Sequence, residues 1–340
     1  MTTATSAPEQ SAATLELRHV SKTYPGATVP AIAGLSLSVP AGEVCVLVGP
    51  SGCGKTTALR LVNRMTELSG GEILLDGRPV RDRDPAELRR EIGYAIQQVG
   101  LFPHRTVAEN IATVPRLLGW PRARVRARVD ELIVLIGLDP AAMRDRYPAQ
   151  LSGGQRQRVG VARALAADPL LLLMDEPFGA LDPINRERLQ LEFLRLQREL
   201  RKTVVFVTHD IDEAIRLGDR IAILRGHGEL AQYAPPAELL MHPADPFVAG
   251  FVGADRALKR LALARVGELE VEPDTDAGLA EGEVRVGEDT SVRDALSAIL
   301  EHGADRAVVL ARDGRPCGTL PLAAITRFLS SQAHAEPAAP

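Results

Sequence analysis

Gly49-Pro50-Ser51-Gly52-Cys53-Gly54-Lys55-Thr56 fits the pattern G-x-x-x-x-G-K-[ST]. The apolar run Val44–Val48 precedes it, and a helical pattern from Thr56 to Arg64 follows. In that setting the N–H groups of a glycine-rich turn cradle phosphate at a helix N-terminus. Lys55 reaches the β/γ oxygens, and the Thr56 hydroxyl is placed for Mg2+. A second apolar run, Leu170 to Met174, ends in Asp175-Glu176. In open α/β sheets ligands gather at the carboxyl ends of strands. Asp175 is thereby suited to hold Mg2+, directly or through water, and Glu176 to orient and polarise an attacking water. Ser152-Gly153-Gly154-Gln155 precedes a helical pattern over Arg156–Ala166. It reads either as a plain N-cap with a glycine turn or as another anion site. Two anion sites for one nucleotide make sense if each serves a different nucleotide across a dimer interface.

The elements that must position these groups are legible as an α/β pattern. From Leu15 to about Pro235, short continuous apolar runs such as Val44–Val48 and Val204–Val207 alternate with helical patterns. Strands buried on both faces of a mainly parallel sheet read this way. Residues 100–165 break the rhythm and read as a helical insertion. Within it, Arg122–Ile136 has apolar positions at 125, 129, 132, 133 and 136. Residues 1–13 and 331–340 read as disordered tails, and the proline-rich 236–254 as a connector. A smaller α+β unit follows over 255–330, with an acidic loop over 271–282. Its pattern is a strand at Glu283–Val286, a helix from a cap at Ser291 to His302, and a strand at Arg306–Leu310. A turn at Asp313-Gly314, a strand at Cys317–Leu320 and a helix over Leu322–Ser330 complete it.

Composition sets outer limits. The chain has 340 residues, 45% hydrophobic and 25% charged, which suits about two domains of ordinary globular texture. A net charge of −4 and an aromatic content of 4% argue against a nucleic-acid partner. No apolar run approaches the ~20 residues that span a bilayer, and the N-terminus lacks a signal-peptide pattern. Cys45, Cys53 and Cys317 have no metal-ligand spacing and fit a reducing cytosol. Cys53 has two readings: a small residue tolerated in the loop, or a thiol activated by Lys55 and the helix N-terminus, with alkylation blocking the phosphates.

The ordered set of Gly49–Thr56, Gln97, Leu151–Gln155, Leu170–Pro177, Ala180-Leu181-Asp182 and Val207-Thr208-His209-Asp210 resembles the ATP-binding-cassette (ABC) ATPases over about residues 14–235. That resemblance implies a P-loop, RecA-like core with a helical subdomain over about 100–165. It also implies ATP and Mg2+ as cofactors, bound by a homodimer. Gly49, Pro50, Ser51, Gly52, Cys53, Gly54, Lys55, Thr56 and Thr57 would form the phosphate cradle. Tyr24 would stack on adenine, and Ser152, Gly153, Gly154 and Gln155 would meet the nucleotide of the opposite subunit. Asp182 would contact that subunit. Thr56, Gln97 and Asp175 would serve the metal, with Gln98 a second choice for Gln97. Glu176, Gln97 and His209 would be catalytic, His209 as the switch that reads the γ-phosphate. A lone histidine after an apolar strand is otherwise a structural residue.

The stretch Ile92–Ala112 and the run Gly253–Leu261 further resemble ATPases of quaternary-amine osmoprotectant importers, which handle glycine betaine, carnitine or choline. Residues 283–330 resemble one cystathionine-β-synthase (CBS) module. The partners so implied are two transmembrane permease subunits and a substrate-binding protein, at the cytoplasmic face of the cell membrane. Leu101, Phe102 and Pro103 either dock on those permeases or pack the insertion onto the sheet. The alternatives are an importer of a polar amino acid, polyamine or anion, an exporter ATPase, and a soluble cassette without transport. In the tail, Gly318 to Ala324 lacks the hydroxyl and carboxylate with which CBS modules hold adenosine ligands, at Pro321 and Ala324. The tail is therefore expected to bind no adenine nucleotide. Val308, Leu310 and Leu320 are expected to face a second copy.

Overall fold

The computed structural model describes residues 12–96, 100–179, 182–272 and 283–331. It divides between Pro236 and Ala237 into two units. In chain order the strands of the first are β1 (Leu15–Lys22), β2 (Ile32–Val39), β3 (Val44–Val48), β4 (Gly70–Leu75), β5 (Arg78–Pro79), β6 (Ile92–Ala95), β7 (Leu171–Asp175), β8 (Thr203–Val207), β9 (Arg220–Leu224) and β10 (Leu230–Ala234). Its helices are α1 (Lys55–Val62), α2 (Pro85–Glu91), α3 (Val107–Ile111), α4 (Thr113–Leu117), α5 (Arg122–Leu135), α6 (Pro140–Met143), α7 (Gly153–Leu165), α8 (Pro183–Leu200) and α9 (Ile211–Leu217).

The continuous apolar runs become the interior of a six-stranded sheet in the order β10-β9-β3-β8-β7-β6. All neighbours pair in parallel except β10, an antiparallel edge. Every residue of β3, β7 and β8 is buried, as strands covered on both faces require. A second sheet, β2-β1-β4-β5, is antiparallel. Leu59 and Leu61 of α1 join Leu15 and Leu35 of the small sheet and Leu47 and Leu173 of the large one in a single core. The sheet order sets the ends of β3, β8 and β7 side by side, and those three ends carry the phosphate-loop pattern, His209 and Asp175-Glu176.

The insertion is helical, and Val125, Val129, Leu132, Ile133 and Ile136 are all buried. Two expected boundaries need correction. Ala13 does not belong to a disordered tail: it is 1% exposed, its N–H donates to Leu170 O, and its carbonyl accepts from Thr203 Oγ1 at 2.6 Å. Nor does the connector expected over 236–254 stand between the units, because the division falls at its first residue. That stretch forms α10 (Pro236–Met241) and α11 (Pro246–Val252), with Leu239, Leu240, Val248 and Val252 buried. Pro236 and Pro246 stand at helix starts, where a fixed φ helps and the missing N–H costs nothing.

The second unit continues with α12 (Arg256–Leu263), β11 (Arg285–Gly287), α13 (Val292–Glu301), β12 (Arg306–Leu310), β13 (Pro316–Pro321) and α14 (Leu322–Ser331). β11 and β12 pair in parallel across α13, and β12 and β13 form an antiparallel hairpin around Asp313-Gly314. Its core gathers Leu261, Val286, Ile299, Val309, Leu320 and Ile325. The expected two-fold face does not survive this packing. Leu320 lies within that core at 0% exposure and Val308 is 3% exposed, so only Leu310 is partly accessible. Of the loop expected over 271–282, residues 273–282 lie outside the described residues, and Glu272 pairs with Thr319.

Candidate functional site

The turn from β3 into α1 holds its shape because two positions admit no side chain. A Cβ on Gly49 would lie 2.3 Å from Leu224 O, and one on Gly54 would lie 2.7 Å from Ala31 O. Both residues also take positive φ, 153° and 107°. Lys55 opens α1 and is 7% exposed. Its Nζ donates to Gly49 O at 2.7 Å and to Pro50 O at 3.0 Å. A single cation is thus held at the centre of a ring of backbone, with a helix N-terminus beneath it. That arrangement suits a polyanion.

Thr56 Oγ1 donates to Asp175 Oδ1 at 3.1 Å, joining the start of α1 to the end of β7. Asp175 is 6% exposed, and burial pushes its carboxyl above the usual range, against the pull of that hydrogen bond. A buried carboxylate beside a hydroxyl and a phosphate cradle is a partial shell of hard oxygens. Mg2+ prefers such a shell, keeping waters and phosphate oxygens for its remaining positions. Among the described residues no group of three or more His, Cys, Asp or Glu forms an all-protein metal cage. The donor set therefore fits a metal that arrives with its phosphate.

Glu176 follows immediately, in a left-handed conformation at φ 46° that a non-glycine residue adopts only at a cost. Its N–H donates to Val207 O at 2.9 Å, which ties the turn to the end of β8. Its carboxylate Oε1 lies 3.2 Å from His209 Nδ1. Glu176 and His209, read from separate motifs, thus form one pair above the sheet edge.

Ser152 caps α7, which begins at Gly153, three residues earlier than the sequence pattern suggests. Ser152 Oγ accepts from Gln155 N–H at 3.2 Å, and Gln155 Oε1 accepts from Ser152 N–H at 2.9 Å. The N-cap reading holds. The side chains form a capping box, while the N–H groups of Gly153 and Gly154 stand in the first turn, which has no intrahelical acceptors. Ser152 to Gln155 make no hydrogen bond to the phosphate loop, Asp175 or Glu176 among the described residues. Tyr24 is 37% exposed with Lys22 Nζ 5.0 Å from its ring centroid. Asp182 is exposed just ahead of α8. Gln97 and Gln98 lie outside the described residues.

The thiol reading of Cys53 is corrected. Its side chain is 2% exposed and belongs to the core beneath the loop. Cys45 is also buried, and only Cys317 is exposed. Partial burial and the Glu288 carboxylate hold the Cys317 thiol above its usual range. A bulky maleimide should therefore label the native protein once, at Cys317, faster as pH rises, with ATPase activity retained. Peptide mapping that finds Cys53 labelled, and protected by ATP, would return the activated-thiol reading.

Three buried polar residues escaped the sequence reading. Glu213, 7% exposed on α9, accepts from Gln190 Nε2 of α8 at 2.9 Å and from the Thr208 hydroxyl. Burial still pushes its carboxyl above the usual range. Thr208 N–H in turn donates to Leu47 O of β3. This chain of bonds anchors the backbone on both sides of His209. Asn110, fully buried on α3, accepts the Phe102 N–H at 2.8 Å. Its Nδ2 reaches the carbonyls of Phe102, Arg105 and Thr106 at 3.2, 3.0 and 2.9 Å. It fixes a loop that leaves Phe102 38% exposed over a hollow of about 230 Å3. The available signal was positional. Asn110 stands between Val107 and Ile111, and Gln190 beside Leu189 and Phe193, each on an otherwise apolar helical stripe.

The profile of the ABC transporter family matches residues 32–179. The osmoprotectant import ATP-binding protein OsmV of Salmonella typhimurium is 50% identical over 293 residues, covering 86% of this chain and 74% of that protein. The glycine betaine uptake system ATP-binding protein YehX of Escherichia coli is 48% identical over 307 residues, 90% of this chain and 97% of that protein. Among solved structures, a dimeric ATP-binding cassette in a post-hydrolysis state bound to ADP and phosphate superposes with a TM-score of 0.59 at 35% identity. The match covers 65% of this chain and 98% of that one. With identity near one residue in two over almost the whole Escherichia coli protein, and the phosphate loop and acidic strand end adjoining in one site, the chain belongs to the ATP-binding subunits of ABC transporters, a family of transport ATPases.

Proposed function

We propose that the chain powers import of a quaternary-amine osmoprotectant such as glycine betaine, carnitine or choline. The observation that carries this reading is the 48% identity to a glycine betaine uptake ATPase over 307 residues, which runs beyond the cassette into the second unit. Two copies would act as a homodimer on two permease subunits fed by a substrate-binding protein, at the cytoplasmic face of the membrane. No helix among the described residues is long and apolar enough to cross it.

In this mechanism the N–H groups from Gly49 to Thr57 and the Lys55 ammonium bind the β- and γ-phosphates, and Tyr24 stacks on adenine. Thr56 and Asp175, with Gln97, would hold Mg2+, which neutralises charge on the phosphate oxygens. Glu176 accepts a hydrogen bond from the attacking water and polarises it. His209 holds Glu176 in place and reaches the γ-phosphate. Ser152 to Gln155 of one copy offer the first-turn N–H groups of α7 to the nucleotide on the other, and Asp182 meets that copy. Labelled glycine betaine uptake at high osmolarity tests the cargo. Deleting the gene should abolish that uptake and spare polyamine and polar amino acid uptake; the reverse pattern would reassign the cargo.

Phe102 and the hollow beside it, lined also by Tyr94, Arg89 and Arg163, form the permease contact in this reading. Phe102→Asp, an exposed change, should uncouple transport while basal ATPase stays within about twofold. Asn110→Ala should destabilise the fold by about 3 kcal/mol, because it leaves buried backbone groups of the same loop unpaired. Thermal unfolding separates the two: Phe102→Asp should melt as the parent does, and loss of folding there would make Phe102 a packing residue.

The order β-α-β-β-α from Arg285 to Ser331 supports reading this part of the second unit as one CBS-like module, regulatory and without an adenosine site. Thr319 is 4% exposed with its backbone paired to Glu272, and Ala324 is buried. Neither Pro321 nor Ala324 has a group that could hold a ribose or phosphate.

A further inference from the structure

Arginine is gathered in the helical insertion. Residues 105–146 hold eight arginines against five carboxylates, in a chain whose net charge is −4. There α3, α4 and α5, with the residue capping α6, surround a hollow of about 540 Å3. That volume lies within the range of small-molecule sites. Its floor is apolar, built on Val125 and Val129, and Trp120 forms a wall. Four arginines line it: Arg116, Arg122, Arg126 and Arg144. Arg144 is ion-paired to Asp130. The other three are exposed, and no side-chain hydrogen bond or ion pair joins them to a described residue. Arg122 and Arg126 are one turn apart on α5 and so share a face. Arg116 feels the Glu109 carboxylate, which leaves Arg122 and Arg126 as like charges one turn apart; they repel, and an anion seated beside them removes that repulsion.

We propose that this hollow is a binding site for a compact, soluble organic phosphate carrying at least two phosphate groups, separate from the nucleotide site. Guanidinium forks match phosphate oxygens in bidentate pairs, and several such forks around one small volume call for dense negative charge. An acidic peptide spreads its charges along an extended backbone, and a bilayer surface is too flat to enter a hollow. The apolar floor takes the organic body of the ligand. None of these residues belongs to the phosphate loop, the β7 end or the β8 end.

Trp120 is the only tryptophan in the chain, and the Arg124 guanidinium lies 3.7 Å from its ring centroid, so its fluorescence reports on this hollow. The probe is inorganic pyrophosphate, titrated at constant ionic strength into full-length protein carrying Lys55→Ala, which disables the phosphate loop. A saturable change in emission is expected. Adding Arg122→Ala and Arg126→Ala should raise its midpoint at least tenfold, and Arg116→Gln alone at least threefold. The same arginine changes in protein with an intact Lys55 should leave ATPase activity unchanged, which shows that the fold is kept. Absence of a saturable response, an equal response to potassium chloride, or midpoints unmoved by every arginine variant would overturn the proposal. So would a response to vesicles of anionic phospholipid without one to pyrophosphate.

Discussion

Glu176→Gln is expected to bind ATP with near-normal affinity and to hydrolyse it 100-fold to 10,000-fold more slowly, the usual span for loss of a general base. The amide keeps the shape of the side chain and still meets His209 across the 3.2 Å gap, so the strained turn at φ 46° need not move. What is lost is a group that can take charge from water. The cost should therefore fall on kcat, with KM for ATP little changed, and the closed dimer should accumulate with ATP trapped. Asp175→Asn separates the two carboxylates. Asparagine can still accept from Thr56 Oγ1, so the 3.1 Å link between α1 and β7 persists. Its neutral side chain holds a divalent cation poorly, so the Mg2+ concentration giving half-maximal rate should rise about tenfold or more. Normal turnover by Glu176→Gln would remove Glu176 from the chemistry. An unchanged Mg2+ requirement in Asp175→Asn would remove Asp175 from the metal.

The placement of these residues at adjoining strand ends was within reach of the sequence because each motif carries its own context. A phosphate loop is recognisable where a buried strand meets a helix start, and β3 and α1 supply both. Parallel strands covered on two faces leave unbroken apolar runs, and a one-sided helix such as α5 leaves a periodic stripe. Partners across the fold leave no such trace. The contact of Glu176 with His209 depends on β7 and β8 being neighbours, which residue spacing does not specify. Asn110, Gln190 and Glu213 are single polar residues on apolar stripes, and periodicity alone ranks them as surface errors. Burial reverses that ranking, because a buried amide or carboxylate persists only where other groups complete its hydrogen bonds.

Proline and cysteine misled for opposite reasons. The prolines over 236–254 mark helix starts as well as breaks, and which one depends on the residues after them. Cys53 stands in an electropositive loop, yet in a turn this tight the direction of a side chain is set by the two glycines around it. A Cβ on Gly49 would come within 2.9 Å of Cys53 Sγ, which shows how closely the sulfur is held against the loop. In the second unit, Val308 is expected to face a second copy and Val309 is its neighbour on β12. The structure buries both.

Ser152→Arg is the second change with a large expected effect, and it tests whether catalysis needs two chains. Ser152 is exposed at the cap of α7, so an arginine there meets no steric barrier inside its own chain. Losing the cap costs about 1 kcal/mol, too little to unfold a chain of this size. The phosphate loop, Thr56 and Asp175 make no hydrogen bond to Ser152, so ATP binding to the single chain should persist. A long side chain placed before the first-turn N–H groups of Gly153 and Gly154 should keep them from a nucleotide on the facing copy. ATPase activity should fall at least 100-fold while nucleotide affinity stays within about threefold. Mixing chains carrying Ser152→Arg with chains carrying Lys55→Ala gives a sharper reading. In a shared-site dimer, one composite site of the mixed pair combines an intact phosphate loop with an intact Ser152, and the other collects both defects. Activity should then return on mixing two inactive proteins. Full activity of Ser152→Arg by itself would mean that each chain hydrolyses ATP with its own residues alone, and the head-to-tail dimer would have no catalytic role.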